Sequence, residues 1–176
     1  MKRILMLAVI AVPAVLSFVE TSAQSDPIAT IRQQYASINR SSAKYRKVKK
    51  ELSGFSLEGG HLVAYFQGPS IMRIVATYFG ESGKATEEYY YSNEKLIFVF
   101  RKDSRYDSPL SGKVVATTEE RFYYQNDKLI RWIDQDGKQA DPTTSEFNQK
   151  ETEYLASSKQ FTDGARAKNR AIEHVP

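Results

Sequence analysis

The sequence predicts an α+β domain: a single antiparallel meander sheet of six to seven strands, flanked by an N-terminal and a C-terminal helix. Three observations predict it. A hairpin motif recurs three times, with copies that begin at Ala64, Tyr89 and Phe122. Apolar residues at helical spacing precede the hairpins, and a second helical segment follows them. Hairpins in series pair with their neighbours along the chain, which gives a meander.

The first 23 residues have the layout of a secretory signal peptide. Lys2 and Arg3 precede an apolar run over residues 4–18 that is short for a membrane span, and the Thr-Ser-Ala sequence at 21–23 offers small residues for cleavage. We therefore expect cleavage near Ala23-Gln24 and a periplasmic or secreted protein; a retained N-terminal anchor is the alternative. The chain has no cysteine, so a lipoprotein anchor and disulfide bonds are excluded.

The mature chain is long enough for one domain with a single core, which we expect over residues 24–162. A mobile basic tail is expected over 163–176. Loss of Lys2, Arg3 and Glu20 lowers the count of basic residues from 25 to 23 and that of acidic residues from 21 to 20. A net charge of +3 is too small to indicate nucleic-acid binding.

The first predicted helix covers residues 27–50. Asp26 suits the N-cap, and Pro27 suits the first helical position. An apolar stripe that would face the core is formed by Ile28, Ile31 and Tyr35, at spacings of three and four residues. Six basic side chains crowd the end of this segment: Arg40, Lys44, Arg46, Lys47, Lys49 and Lys50. They suit contact with an anionic membrane or polymer, and a solvated helix face is the alternative.

The sheet is predicted over residues 53–134. Its strands are expected at 53–57, 61–66, 71–79, 84–91, 96–102, 113–124 and 129–134, with glycine-containing turns between hairpins. A second helix is predicted over 144–161, with Thr144 or Ser145 as its cap and Phe147 and Tyr154 facing inward. Asp163-Gly164 is expected to end it.

Both faces of this sheet are rich in apolar and aromatic residues. A two-residue turn sets the pairing of the strands that it joins. Three cross-strand pairs follow for the central hairpin, namely Tyr91 with Leu96, Tyr90 with Ile97 and Tyr89 with Phe98. Tyr89, Tyr91 and Phe98 then share one face, and Tyr90 lies on the other. Because neither face is polar, both need cover or one is a binding surface.

A candidate ligand site follows from this register. Two arginines at equivalent positions of their hairpins join four aromatic residues on one face: Arg73, Arg131, Phe98, Phe66, Tyr91 and Tyr124. An aromatic cleft with two cationic groups suits an anionic or sugar-like ligand. The alternative is that the arginine stems lie along aromatic rings at the sheet edge and reach solvent.

The inventory of reactive residues excludes most catalytic and metal chemistry. With no cysteine and two histidines, His61 and His174, no Ser-His-Asp triad is credible, and no metal or cofactor site is predicted. Paired carboxylates remain, as Glu87-Glu88 and Glu119-Glu120. The alternative is that they are charged residues near strand ends, balanced by neighbouring cations.

The Tyr-Tyr-x-Asn-x-Lys-Leu hairpins, with Gly-Lys turns between them, resemble MORN-type hairpin repeats of small exported bacterial proteins. The resemblance covers residues 62–138 and implies no catalytic residue or ligand. This chain departs from the repeat at the turns, where Glu94 and Asp127 stand in place of the usual glycine. We therefore expect an exported, non-enzymatic binding or interaction module. The alternatives are a structural or assembly protein whose apolar sheet face forms a homodimer, and an envelope hydrolase that uses a carboxylate pair.

Overall fold

The computed structural model describes residues 26–174, so the predicted signal peptide lies outside the described residues. In chain order the elements are α1 (Pro27–Ser41), a 3₁₀ turn (Ser42–Lys44), β1 (Arg46–Ser53), β2 (Gly60–Gln67), β3 (Ser70–Gly80), β4 (Gly83–Ser92), β5 (Lys95–Tyr106), β6 (Val114–Gln125), β7 (Lys128–Ile133), α2 (Ser145–Arg166) and β8 (Ala171–Glu173). They form an α+β fold around one eight-stranded sheet of order β7-β6-β5-β4-β3-β2-β1-β8. Strands β1 to β7 are an antiparallel meander, and β8 runs parallel to β1.

The two helices cover opposite faces of the sheet, which explains why both faces carry apolar and aromatic residues. On what we call the α2 face, Phe147, Tyr154 and Phe161 of α2 pack into the larger core. On the α1 face, the apolar stripe of α1 packs on a smaller aromatic cluster. The cap predicted for α1 is present, because the side chain of Asp26 accepts a hydrogen bond from the N–H of Ile28 at 2.9 Å.

The helix predicted over 27–50 is too long. Helix α1 ends at Ser41, and Arg46–Ser53 is strand β1. From Lys47 to Leu52 the chain follows a two-residue alternation, in which Lys50 and Leu52 are buried while Lys47 and Lys49 stay exposed. The basic side chains of this segment are therefore divided between two sheet faces and do not line one helix surface.

The C-terminal segment is also more ordered than the predicted mobile tail. Helix α2 continues past Gly164 to Arg166, and a Cβ on Gly164 would lie 2.6 Å from the side chain of Ile172, so the glycine allows this close packing. Strand β8 then adds to the edge of β1. The N–H of His174 donates to the carbonyl of Ser53 at 2.9 Å, and its ring lies 5.0 Å from that of Phe55.

A β-bulge interrupts each of the three repeated hairpins after the second residue pair from the turn. In the central hairpin Tyr91 faces Leu96 as predicted, but Tyr90 faces Phe98, and Ile97 is the extra residue. Equivalent shifts leave Met72 and Ile130 without direct partners in the other two hairpins. The predicted pairs of Tyr90 with Ile97 and of Tyr89 with Phe98 are therefore wrong.

The bulges exchange the faces of every strand residue that follows them. Phe98 joins Tyr90 on the α1 face, while Val99 joins Tyr89 on the α2 face. One row of directly paired residues crosses the α1 face from β1 to β7: Lys47, Tyr65, Arg73, Tyr90, Phe98, Tyr123 and Arg131. Cationic and aromatic side chains make up this whole row.

Candidate functional site

The six residues of the predicted site lie on two faces. Phe66, Tyr91 and Tyr124 belong to the core under α2, with exposed fractions of 4%, 2% and 0%. Arg73, Phe98 and Arg131 share the α1 face, as the row across the sheet shows. The structure therefore does not bring the six together in one cleft, because the bulges separate the first three from the others.

A different aromatic cleft lies on the α1 face, between helix α1 and strands β5 and β6. Its volume is about 320 Å³, near the lower end of the usual range for small-molecule sites. Eight residues line it: Ile31, Arg32, Tyr35, Phe98, Phe100, Glu119, Arg121 and Tyr123. Phe98 is the member that the sequence predicted.

Four aromatic rings form the wall of this cleft. The ring of Phe98 lies 4.9 Å from that of Tyr123 and 5.3 Å from that of Tyr35, which it meets edge-on. Tyr35 also packs against Tyr90 at 4.8 Å. These separations are typical of favourable aromatic pairs, so the rings support one another, and they leave a rigid apolar surface for a ligand.

Two arginines flank the rings. The Arg121 guanidinium lies over Phe100 at 5.3 Å and pairs with Glu119, at 2.6 Å between Nη2 and Oε2. The Arg32 guanidinium lies over Tyr123 at 6.0 Å. Within residues 26–174 Arg32 forms no ion pair, and Arg121 forms one, with Glu119. The two guanidinium groups therefore have more N–H donors than the Glu119 carboxylate accepts from.

Arg73 lies outside the cleft, in a niche of its own. Its guanidinium sits 5.4 Å from the centres of both the Tyr65 and the Tyr90 rings, and its Nη2 is 2.8 Å from Oε2 of Glu88. The side chain is 17% exposed. Arg73 is therefore held by its neighbours and does not line the cleft.

The carboxylates predicted as pairs are separated by the sheet. Glu87 and Glu120 lie on the α2 face, each directly opposite Arg101, while Glu88 and Glu119 lie on the α1 face. Glu120 accepts a hydrogen bond from Nε1 of Trp132 at 3.0 Å. Each of these carboxylates already has a partner within the chain.

Glu87 is the centre of a buried polar network. Its Oε2 accepts hydrogen bonds from the hydroxyls of Tyr89 and Tyr78 at 2.7 and 3.0 Å, and its Oε1 lies 2.9 Å from Arg101. Arg101 in turn makes a bidentate contact with Asp103. Burial raises the pKa of Glu87, against the opposing effect of Arg101. Burial and the nearby carboxylate raise the pKa of Tyr78 and Tyr89, so both phenols stay protonated donors.

Two further properties concern the described part of the chain. Among residues 26–174, no three histidine, aspartate or glutamate side chains are grouped so that they could hold a metal ion. In the same range no helix has the length and apolar character needed to cross a bilayer.

No protein-family model, curated protein or solved structure matches the chain. The resemblance to MORN-type hairpin repeats therefore stays a prediction, and the candidate site rests on its own geometry. Sequence reasoning missed most of the cleft because the predicted register placed Phe98 on the face of Tyr89 and Tyr91, whereas Phe98 lies in one row with Tyr90 and Tyr123. The available signal was the inward stripe of α1, whose members Ile31 and Tyr35 must meet some aromatic row of the sheet.

Proposed function

We propose that the protein is a non-enzymatic binding module that holds a small anionic ligand, with a flat or sugar-like ring, in the cleft between α1 and the sheet. The observation that carries the proposal is the convergence of four aromatic rings and two guanidinium groups on one cavity of about 320 Å³. Rings of this kind provide apolar faces, and guanidinium groups bind carboxylates through paired N–H donors.

The charge around the cleft favours an anion. Glu119 satisfies one edge of Arg121, and Arg32 has no acidic partner among the described residues. A ligand carboxylate could bind Arg32 and the remaining N–H groups of Arg121 while its ring lies against Phe100 or Tyr123. The apolar rings beside the guanidinium groups, with Phe98 6% and Tyr123 4% exposed, lower the local dielectric and strengthen such hydrogen bonds.

A carboxylate-based hydrolase has less support. Hydrolysis needs two carboxyl groups that face one substrate, about 5–9.5 Å apart and free to exchange protons. Glu87 is instead enclosed by two phenols and Arg101, and Glu119 is paired with Arg121. A homodimer through an apolar sheet face also has less support, since Phe98 on that face is only 6% exposed beneath α1.

The proposal is tested by titrating the isotope-labelled protein with galacturonate, benzoate and neutral galactose while amide NMR shifts are recorded. We expect the two carboxylates to shift resonances of α1, β5 and β6, with galactose much weaker. The Arg32→Gln/Arg121→Gln double variant should lose these shifts. Arg105→Gln is the control, because Arg105 is an exposed arginine on the α2 face. Equal responses in the double variant and the control, or none with either carboxylate, would contradict the proposal.

A further inference from the structure

Positive charge is concentrated on the α1 face of the sheet. From the bulges to the far ends of the strands, this face carries seven basic side chains: Lys47, Lys49, Arg73, Lys84, Lys102, Arg121 and Arg131. It carries three acidic ones: Glu51, Glu88 and Glu119. The α2 face of the same strand segments is balanced, with Lys50, Arg101 and Arg105 against Glu87, Asp103 and Glu120. The excess charge of the sheet therefore lies beside the cleft.

The cations form a track that crosses the strands away from the cleft. Arg121 is on β6, Lys102 on β5 and Lys49 on β1. At about 4.8 Å between neighbouring strands, the distance from β6 to β1 is about 24 Å. Three carboxylates lie beside the track: Glu88 on β4, which pairs with Arg73 at 2.8 Å, Glu119 opposite Lys102, which pairs with Arg121 at 2.6 Å, and the exposed Glu51 on β1. Lys49 and Lys102 are exposed and form no ion pair within residues 26–174, so both are available to a ligand.

The shape of this face suits the binding of an extended polymer better than the binding of a planar membrane. Helix α1 stands on the sheet and is about 10 Å across, so it would hold a planar bilayer away from the strands beside it. Arg121 is 38% exposed at the side chain and sits in the cleft below this helix. A thin polymer can enter the cleft and continue along the open strands, whereas lipid headgroups in a plane cannot reach both.

We propose that the α1 face binds an extended carboxylated polysaccharide, with one sugar unit in the cleft and the following units along the cationic track toward Lys49. The inference rests on the proposed function, since the cleft supplies the first subsite. Carboxylates spaced along such a chain meet Lys102 and Lys49, and its sugar rings lie over the half-buried Phe100, Val75 and Val63. Each added contact with an exposed cation strengthens binding modestly and is weakened by salt.

The test measures, by calorimetry at low and moderate salt, the affinity of the purified protein for galacturonate oligomers of one to eight units. Affinity should rise with length and fall more steeply with salt for the octamer than for the monomer. Lys49→Gln/Lys102→Gln should weaken octamer binding by about three- to tenfold and leave monomer binding unchanged. Arg105→Gln on the α2 face should change neither.

The possible outcomes separate the two proposals. If the monomer binds but affinity does not grow with length, the track is wrong and the cleft proposal stands. If no oligomer of any length binds, the polysaccharide proposal is wrong, and the cleft proposal falls with it only if benzoate also fails to bind. Stronger binding to anionic phospholipid vesicles than to the octamer would replace the polysaccharide with a membrane. If polyphosphate binds more strongly than the octamer and Arg121→Gln does not weaken that binding, the cleft is not the first subsite and the polysaccharide proposal is wrong.

Discussion

Tyr90 stands opposite Phe98 across the β4–β5 hairpin, and Ile97 between Phe98 and the turn has no direct partner. Phe98 and Tyr90 consequently share the α1 face, where their rings lie 5.8 Å apart and both contact Tyr35. The extra residue of the central hairpin thus places Phe98 in the aromatic wall of the cleft.

Deletion of Ile97 should keep the fold, because Phe98 would still face Tyr90 once the bulge is gone. Lost burial of the isoleucine should lower the free energy of unfolding by about 2–4 kcal/mol. Deletion of Val99 is the matched control. It would exchange the faces of the rest of β5 and turn Arg101 toward the α1 side, so this variant should not fold. Urea unfolding and near-ultraviolet circular dichroism distinguish the two, and equal effects would show that the bulge does not set the faces.

The buried carboxyl of Glu87 should make stability depend on pH in a particular direction. Burial raises the pKa of Glu87 in the folded protein above its ordinary value, so the folded state binds this proton more tightly than the unfolded state does. The resulting stabilisation is complete below the unfolded pKa of about 4.5 and is lost as pH rises through the folded pKa. The advantage of the natural protein over Glu87→Gln, measured by urea unfolding, should therefore be larger at pH 4 than at pH 7. A constant difference would mean that the pKa is not raised.

Lys50 should hold the segment that follows α2 against the sheet. Its Nζ donates to the carbonyl of Ala167 at 2.6 Å and also to that of Asn169, and the residue is buried. Lys50→Met should cost about 2–3 kcal/mol, because it removes charge-assisted hydrogen bonds from a buried ammonium to two carbonyls of the segment between α2 and β8. It should also speed amide exchange in β8. The neighbour Lys49 is exposed, so Lys49→Met should change stability by less than about 0.5 kcal/mol. Similar losses in both variants would contradict this role.

Gly83 and Gly80 flank one turn but should respond differently to alanine. A Cβ on Gly83 would lie 2.2 Å from the carbonyl oxygen of Ser104, a backbone atom of β5 that cannot move without breaking the ladder. A Cβ on Gly80 would be 3.5 Å from its nearest neighbour, an ordinary contact. Gly83→Ala should therefore cost about 2 kcal/mol or more, and Gly80→Ala should be neutral or slightly stabilising. Thermal unfolding of both variants gives the comparison, and an unaffected Gly83→Ala would mean that the strands separate more easily than their pairing implies.

The agreement between sequence and structure is best where signals are local. Asp26 and Thr144 cap the helices as expected, and each accepts a hydrogen bond from its own first turn. The turn at Asn93-Glu94 has positive φ at both positions, 49° and 62°, which is the geometry of a two-residue hairpin loop. The helix predicted over 27–50 failed beyond Ser41, because basic and apolar residues that fit a helical stripe fit the alternation of β1 as well.

The candidate site was predicted only in kind. An aromatic and arginine-containing cleft exists, but Arg32 and Arg121 line it in place of Arg73 and Arg131. The residues of the turn specify only the cross-strand pairs next to it. Whether a bulge follows those pairs depends on which side chains become buried against the helices. Ile97 is buried on the α1 side, so the bulge gains apolar contact that an uninterrupted ladder would lack.

Local signals were enough to predict the α+β class, the three hairpins and their order, since capping residues, turns and alternation act within a few neighbours. Three features depend on contacts between distant segments: the bulges that exchange the sheet faces, β1 in place of a longer helix, and the parallel pairing of β8 with β1. These outcomes depend on contacts between distant segments, such as Lys50 with the end of α2 and Tyr35 with Phe98. Local signals allow the strands to pair with or without the bulges. Burial of each sheet face under a helix selects the register that the structure has.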